Sequence, residues 1–285
     1  MKKYFNKIII ACLALAGFTS CDPQDNDDHE LGAPAPESAV SFSVTPSADN
    51  ANIVELKNTS TVPGVAVWDL GNGSTVKGES VTQSFPFAGE YTISLSLYTR
   101  GGVTTKTQNI TIANNDPSQI PANAVLLAGG MTGSKTWVFD RTHDGHFGVG
   151  PADADGPSWW SCPAEGKADC SLYENEFTFN LDGNYNMVWK NKGNVYSNDA
   201  GKGALGGTAV APPAGDWDIT YTPKEAYTFT VSGDQLVLSD GAFFGHYAGT
   251  STYKILNLTE DELYIMCAST VENGNGWWYR FIPKK

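Results

Sequence analysis

The chain has 285 residues, of which 41% are hydrophobic and 17% are charged, and its net charge is −13. This length allows one large domain or two domains of ordinary size. The excess of acidic side chains argues against nucleic acid and anionic lipid as partners, so a neutral ligand is expected. Because glycine (30 residues) and aromatic residues (12%) are abundant, the composition predicts β structure with many turns.

The first twenty residues have the pattern of a secretory signal. Three lysines within residues 1–7 precede an apolar run over residues 8–18, which is too short to span a membrane. Small residues stand just before Cys21, so that residues 1–20 resemble a bacterial lipoprotein signal peptide. This resemblance implies lipidation of Cys21. Ordinary signal cleavage nearby is the alternative.

Residues 21–37 are interpreted as an acidic, proline-containing linker. A run of charged residues is usually a solvated segment. Directly after a lipidated cysteine, this run also resembles the surface-export signal of Bacteroidetes lipoproteins. The resemblance implies a mature protein that is anchored by its lipid in the outer membrane and faces the cell exterior.

Residues 38–115 alternate between apolar and polar positions in short runs separated by glycine and asparagine turns. This pattern, without helical periodicity, predicts a β-sandwich. Two segments then carry a family resemblance. "AVWDLGNGST" (66–75) is similar to the "WDFGDGS" turn of PKD domains, and "SFPFAGEYTISLSLY" (84–98) is similar to a later segment of the same family.

The PKD resemblance implies an Ig-like sandwich, and in most proteins such a domain is a spacer. Trp68 is expected in the core, while Gly71 and Gly73 are expected at positive φ in the turn. The sequence departs from the family pattern at structural positions, namely Leu70, Asn72, Phe85 and Phe87.

Residues 114–121 ("NNDPSQIP") are predicted to link this domain to a second one over residues 122–285. We expect a larger antiparallel β-sandwich or barrel there, with a short helix near 122–128 or 166–174. The predicted strands cover 135–140, 175–181, 184–190, 216–222, 226–231, 235–239, 252–259, 262–269 and 277–283.

The cysteines suggest an oxidising compartment. Cys162 and Cys170 lie eight residues apart in a loop-like stretch, which predicts a disulfide between them. Cys267 has apolar neighbours and is expected to be a buried thiol. No Cys/His spacing indicates zinc.

Catalytic and metal-binding interpretations have limited support. Glu174 and Glu176 lie on one face of a predicted strand, which is the one arrangement suggestive of a glycosidase, yet no surrounding pattern supports it. His143 and His146, three residues apart, are expected to make structural or solvent hydrogen bonds, with metal binding as the alternative. Asp153 and Asp155 are interpreted as part of an acidic turn. Calcium binding there is the alternative, although the remainder of a calcium loop is missing.

The tryptophans include two adjacent pairs, at 159–160 and 277–278. In a strand, neighbouring side chains point to opposite faces. Trp277, with Tyr279 and Phe281, is therefore expected in the core, and Trp278, which shares the other face with Arg280, at the surface. The 159–160 pair lies in a loop rich in glycine and proline, so that both rings are predicted to be accessible, unless they cap the core.

An exposed indole face suits the apolar face of a pyranose ring, while neighbouring polar groups meet its hydroxyls. The candidate carbohydrate-binding residues are Trp159, Trp160, Trp278, Arg280, His146 and Tyr247.

As a whole, residues 122–285 resemble the C-terminal domains of Bacteroidetes surface glycan-binding lipoproteins, through segments such as "YENEFTFNLDGNY" and "WWYRFIPKK". This resemblance implies a non-catalytic protein that captures a polysaccharide, with β-glucans favoured, and acts beside a SusC/SusD-like importer. The alternatives are a divergent glycoside hydrolase and an adhesive or structural surface lipoprotein.

Overall fold

The computed structural model describes residues 31–285. The predicted signal peptide, the lipidation site at Cys21 and the first part of the acidic linker lie outside these residues. Across residues 31–285, no helix is both long and apolar enough to cross a membrane.

The N-terminal domain is a sandwich of two antiparallel sheets. One sheet has the order β1-β2-β5, and the other β4-β3-β6-β7. Along β6, Ile93, Leu95 and Leu97 are fully buried, and the residues between them are not, because alternate side chains point to opposite faces. The strands are β1 (Phe42–Pro46), β2 (Ile53–Asn58), β3 (Val65–Asp69), β4 (Thr75–Lys77), β5 (Ser80–Ser84), β6 (Gly89–Thr99) and β7 (Gly102–Ile112).

The turn between β3 and β4 has the expected construction. Trp68 is buried, and its Nε1 donates to the Gly78 carbonyl at 2.8 Å. Gly71 has φ +69°, and a Cβ there would lie 2.6 Å from the Thr92 carbonyl oxygen, so only glycine fits. Asn72 accepts a hydrogen bond from the Ser74 amide at 3.0 Å, which shows how the turn accommodates this departure from the family pattern.

The C-terminal domain is built on a closed antiparallel barrel. Within the described residues, eight strands follow the order β8-β11-β12-β16-β17-β18-β19-β20, and β20 pairs back onto β8 to close the ring. The strands are β8 (Ser134–Phe139), β9 (Phe147–Pro151), β10 (Trp160–Ser161), β11 (Glu176–Asn180), β12 (Asn186–Lys190), β13 (Asn194–Ser197), β14 (Ala209–Val210), β15 (Trp217–Thr220), β16 (Tyr227–Ser232), β17 (Gln235–Leu238), β18 (Thr252–Leu258), β19 (Leu263–Ala268) and β20 (Asn275–Pro283). The all-β prediction is confirmed, and the second domain is a barrel.

Aromatic side chains fill the barrel. The rings of Phe179 and Phe229 lie 5.0 Å apart, and those of Phe244 and Phe281 lie 5.1 Å apart, all of them buried. Helix α1 (Ala122–Ala128) packs against strands on several sides of the barrel, and its Leu127 carbonyl accepts a hydrogen bond from Trp137 Nε1 at 2.9 Å. The interior is therefore a packed core, and a ligand has to bind elsewhere.

Two additions lie at the flank of the barrel. Strand β9 continues the sheet beside β20, and β10 pairs with β9. Between β12 and β16, a small sheet of order β13-β15-β14 and helix α2 (Asp199–Leu205) form an insertion. Phe147 of β9 and Tyr196 of β13 meet with ring centroids 6.3 Å apart. These additions create a concave surface that a plain barrel would lack.

The two domains are joined by packing as well as by the chain. Phe87 is 5% exposed and packs into the C-terminal core, with its ring 5.7 Å from that of Tyr185. The Asp116 amide donates to the Pro86 carbonyl, and the Ala88 amide donates to Asn115 Oδ1, each at 2.8 Å. Phe87, which departs from the PKD pattern, thus serves the domain contact, and the linker lies against the N-terminal domain.

Candidate functional site

A depression of about 500 Å³ lies between the β9–β10 hairpin, the end of β20 and the insertion, and we call it the aromatic depression. Three tryptophans contribute to it, together with several polar side chains. Its lining consists of Phe147, Val149, Trp159, Trp160, Lys167, Asn198, Ala214, Gly215, Asp216, Glu272, Asn275 and Trp277.

Trp159 and Trp160 form the exposed side of the aromatic depression, with 58% and 40% of their surface accessible. Their backbone is held on β9, because the Trp159 amide donates to the Val149 carbonyl at 3.0 Å, and Trp160 pairs with Val149 in the ladder. The prediction that both rings are accessible is confirmed by their exposure. Their role in sugar binding stays a prediction.

The second tryptophan pair, Trp277 and Trp278, is arranged differently from the prediction. Trp277 is 6% exposed, lines the aromatic depression and stacks on Phe147, with ring centroids 5.1 Å apart and planes inclined by 15°. Trp278 is fully buried. The prediction that Trp278 is a surface residue that contacts sugar is therefore wrong, and Trp277 is the member of this pair that reaches the site.

Three glycines explain the burial of Trp278. Gly148 lies opposite Trp278 in the ladder, and Gly150 lies opposite Gly276, so these positions share one face of the β9–β20 ribbon. A Cβ on Gly148 would lie 2.6 Å from Pro157 Cβ, and one on Gly150 would lie 2.7 Å from the Ser158 nitrogen. The loop that precedes β10 therefore folds back over this face and covers it. Strand alternation alone does not reveal such a cover.

Hydrogen bonds fix one wall of the aromatic depression. Glu272 accepts from Trp277 Nε1 through Oε2 and from Asn275 Nδ2 through Oε1, both at 3.0 Å. Glu272 is thus held in place, and it orients both neighbours. No pattern in the sequence pointed to this residue, because its partners meet it across the turn that leads into β20.

Asp216 and Asn198 are further polar residues of the lining. Asp216 adopts φ +54° and accepts a hydrogen bond from Tyr196 Oη at 2.7 Å. Asn198 caps α2 by accepting from the Gly201 amide at 3.0 Å. Burial and the Asp216 carboxylate both raise the pKa of Tyr196, so its hydroxyl stays protonated and acts as a donor.

His246 lies beneath Trp277, with ring centroids 4.2 Å apart, and is 1% exposed. Its Nδ1 is 3.0 Å from Tyr279 Oη, while its Nε2 has no hydrogen-bond partner within the described residues. Burial, with a smaller contribution from the Lys167 ammonium, lowers the pKa of His246 to about 3. The neutral ring therefore supports Trp277 from within the core and does not itself line the aromatic depression.

This shift predicts a specific loss of stability in acid. Unfolded His246 takes up a proton near pH 6.5, whereas folded His246 stays neutral down to about pH 3, so the unfolded state binds more protons in this interval. The free energy of unfolding should fall as the pH drops through this window, with His246 contributing a loss of about 3 kcal/mol by pH 4. Urea unfolding at a series of pH values between 4 and 7 measures this free energy of unfolding.

The variant His246→Gln, which cannot titrate, should show a shallower loss of stability in acid than the wild type. The matched control is His143→Gln, which changes an exposed histidine. Equal pH slopes for His246→Gln and the wild type would contradict the assignment.

The other candidate residues lie outside the lining. His146 is buried, and both ring nitrogens are engaged, Nδ1 with the His143 carbonyl (2.6 Å) and Nε2 with Tyr173 Oη (2.7 Å). The assignment of His146 as a carbohydrate-binding residue is therefore wrong, whereas the expectation of structural hydrogen bonds is confirmed for it. Arg280 pairs with Glu262, and its guanidinium lies 4.3 Å from the Tyr264 ring centroid.

Tyr247 is half-buried, and its ring packs 5.0 Å from Phe243. Neither Tyr247 nor Arg280 belongs to the aromatic depression.

The predicted disulfide is absent, since Cys162, Cys170 and Cys267 are all free thiols buried in the domain. Cys170 Sγ donates to the Lys167 carbonyl at 3.3 Å, and burial raises its pKa to about 12. Backbone hydrogen bonds also hold the segment between the two cysteines, such as those from the Gly166 amide to the Pro163 carbonyl (2.9 Å) and from the Ala168 amide to the Glu165 carbonyl (3.0 Å). The disulfide prediction is wrong for this structure.

The carboxylates singled out for catalysis are both paired with lysines. Glu174 lies 3.2 Å from Lys192 Nζ, and Glu176 lies 2.5 Å from Lys284 Nζ. Within residues 31–285, no group of three or more His, Cys, Asp or Glu side chains is arranged to hold a metal ion. The fold therefore brings no third side chain of these four types to Asp153 and Asp155.

Comparison with known proteins identifies the N-terminal domain. Residues 33–113 match the family model described as PKD domain, so the chain contains a PKD domain over these residues. The aromatic depression lies entirely in the C-terminal domain, outside this match.

Two solved structures are similar to part of the chain. The PKD1 domain of Vibrio anguillarum Epp is 26% identical and aligns over 30% of this chain and 99% of its own, with a TM-score of 0.25. The PKD1 domain of the Vibrio cholerae metalloprotease PrtV is 28% identical and aligns over 26% of this chain and 95% of its own, with a TM-score of 0.24. No curated protein matches the chain.

Proposed function

We propose that the protein binds a neutral polysaccharide without cleaving it, and that the aromatic depression is the binding site. The observation that carries this proposal is the grouping of the exposed rings of Trp159 and Trp160 with Trp277 in one open concavity. Exposed indoles lose unfavourable contact with water when an apolar surface covers them. The ring faces of a pyranose chain offer such a surface, with hydroxyls around the edge.

The polar lining is suited to sugar hydroxyls. Asp216 uses Oδ2 for Tyr196 and leaves Oδ1 unengaged, while the Nδ2 group of Asn198 and the Oδ1 atom of Asn275 also have no intramolecular hydrogen bond within the described residues. These groups offer two acceptors and one donor. Because Asp216 and Glu272 are carboxylates, an anionic ligand would meet like charge, which favours a neutral glycan.

The sequence supports a wider setting for this activity. Its resemblance to surface glycan-binding lipoproteins favours a β-glucan as the ligand and delivery to a SusC/SusD-like importer. In this setting, the PKD domain is a spacer between the membrane and the binding domain. The Phe87 contact supports a spacer that presents the depression in a defined orientation.

Affinity electrophoresis on a panel of polysaccharides tests the proposal. We expect retardation by at least one neutral glucan, with mixed-linkage β-glucan the first candidate, and no release of reducing sugar. A panel without any retardation by neutral glucans would contradict the proposal. Release of reducing sugar that is lost in Glu176→Gln would instead favour the glycoside hydrolase alternative.

The proposed lipid anchor has its own measurement. Labelled palmitate should enter the full-length protein in cells and should be absent from Cys21→Ala, because only the thiol at this position is expected to carry the lipid. Labelling that persists in Cys21→Ala would contradict the anchor while leaving the binding proposal untouched.

A further inference from the structure

Lys167 is a lysine buried in the floor of the aromatic depression. It is 5% exposed, although it belongs to a turn between Cys162 and Cys170 that is otherwise largely at the surface. A lysine is almost never fully buried unless its ammonium group is paired, because removing the charge from water is costly. Its partners therefore indicate what the burial achieves.

The ammonium joins two separate parts of the chain to its own turn. Its Nζ donates to Tyr196 Oη and to the Ala214 carbonyl at 2.8 Å, and it lies 3.9 Å from Asp216 Oδ2. Tyr196 is on β13, whereas Ala214 and Asp216 precede β15. The backbone nitrogen of Lys167 donates to Tyr173 Oη at 3.1 Å, which secures the turn itself.

The same ammonium approaches the exposed aromatic side of the site. Its Nζ lies 5.3 Å from the ring centroid of Trp160. A cation at this distance from an indole face is attracted by the ring, and the attraction is stronger when the cation is shielded from water. One buried charge therefore lies against both Trp160 and the Ala214–Asp216 segment, which are two separate parts of the lining.

We propose that Lys167 is the positioning residue of the glycan site, which holds Trp160 and the Ala214–Asp216 segment at the separation a ligand requires. This inference rests on the proposed function. The ammonium donates to Tyr196 and Ala214 and faces Asp216, so it acts through these neighbours and through Trp160. Pre-organised walls reduce the ordering cost of binding.

A purely structural role makes a different prediction. A methionine fills a similar volume, but it leaves the Ala214 carbonyl and Asp216 without the ammonium, and removing one partner of a buried ionic contact is destabilising. Circular dichroism therefore has to show that the variant is folded. If Lys167 only filled space, Lys167→Met would preserve both the surroundings of Trp160 and the affinity. If its charge positions the site, the fold should persist while the site changes.

The first measurement needs no ligand. The indole N–H resonance of Trp160, identified by its loss in Trp160→Phe, should shift in Lys167→Met. Lys202→Met is the matched control, because Lys202 Nζ lies 3.3 Å from the Trp217 ring centroid and outside the aromatic depression. It should leave the Trp160 resonance in place. Lys167→Gln, which keeps a hydrogen-bond donor without the charge, is the second variant if the methionine variant folds poorly.

The second measurement is a double-mutant cycle with mixed-linkage β-glucan as the probe. Lys167→Met should weaken binding by about tenfold in the wild-type background and by less than about threefold in Trp160→Ala, because two residues that act together are not additive. Lys202→Met should bind like the wild type.

The outcomes separate the two proposals. An unchanged Trp160 resonance in Lys167→Met, or an equal loss of affinity in both backgrounds, would overturn the role of Lys167 while the binding function stands. If the wild type binds none of the polysaccharides in the panel, the proposed function fails. A shifted Trp160 resonance would then show only that Lys167 orders this wall, and the positioning role in glycan binding would fall with the function.

Discussion

Replacing Trp159 and Trp160 together by alanine is expected to weaken polysaccharide binding by about 100-fold or more. Covering one face of an indole removes on the order of 100 Å² of apolar surface from water, which is worth about 2 kcal/mol at ~25 cal/mol per Å². A factor of ten in affinity corresponds to about 1.4 kcal/mol. The costs of association are common to variant and wild type, so the difference is informative.

The two single variants should differ. Trp160 already contacts Lys167 and meets the edge of Phe147 at 5.9 Å, whereas Trp159 is the more exposed ring. Trp159 therefore has more surface to offer a ligand, and Trp159→Ala should cost more affinity than Trp160→Ala. Affinity electrophoresis with graded amounts of mixed-linkage β-glucan measures both.

Tyr98→Ala is the matched control for these variants. Tyr98 is 50% exposed on the N-terminal domain, far along the chain from the aromatic depression, so its removal deletes an exposed aromatic ring elsewhere. The Tyr98→Ala variant should bind the polysaccharide as tightly as the wild type does and should unfold at the same temperature. Undiminished retardation of the Trp159/Trp160 double variant, in a folded protein, would remove the aromatic depression from consideration as the binding site.

Replacing Trp278 by alanine is expected to lower the free energy of unfolding of the C-terminal domain by about 3–5 kcal/mol, as for other large buried side chains. Trp278 is fully buried beneath the loop that carries Pro157 and Ser158. The melting temperature of the Trp278→Ala protein should be lower than that of the wild type by on the order of 10 °C. Circular dichroism during heating, together with urea unfolding, measures the effect.

Trp278→Phe should cost much less than Trp278→Ala. The Nε1 of Trp278 is buried and has no hydrogen-bond partner within residues 31–285. Phenylalanine lacks this unpaired polar group but keeps a large ring in the core, so the loss of stability should be smaller. Trp159→Ala provides the opposite pattern, with binding lost and stability kept. A Trp278→Ala protein of unchanged stability would contradict the buried position.

The strands of the barrel illustrate how far the sequence can be interpreted. All nine strands predicted in residues 122–285 are present within about two residues of their expected bounds. Apolar and polar residues alternate clearly along these strands, because one face of each strand is buried in the core. The strands that were missed, β9, β10, β13 and β14, are short or contain glycine, and β9 pairs with the distant β20. Two of them, β9 and β10, carry part of the lining of the aromatic depression.

The sequence by itself determined the all-β class, the PKD domain and the accessibility of the Trp159–Trp160 pair, because alternation, turn residues and loop composition are local properties. Only the tertiary structure decided that Trp277 lines the site and Trp278 is buried, since this depends on a loop packing onto glycines of β9 and β20. It likewise brought together Lys167, Asp216 and Glu272, which are far apart along the chain, and left Cys162 and Cys170 as thiols. Contacts between distant segments follow from the closed barrel and its insertion, which local patterns do not encode.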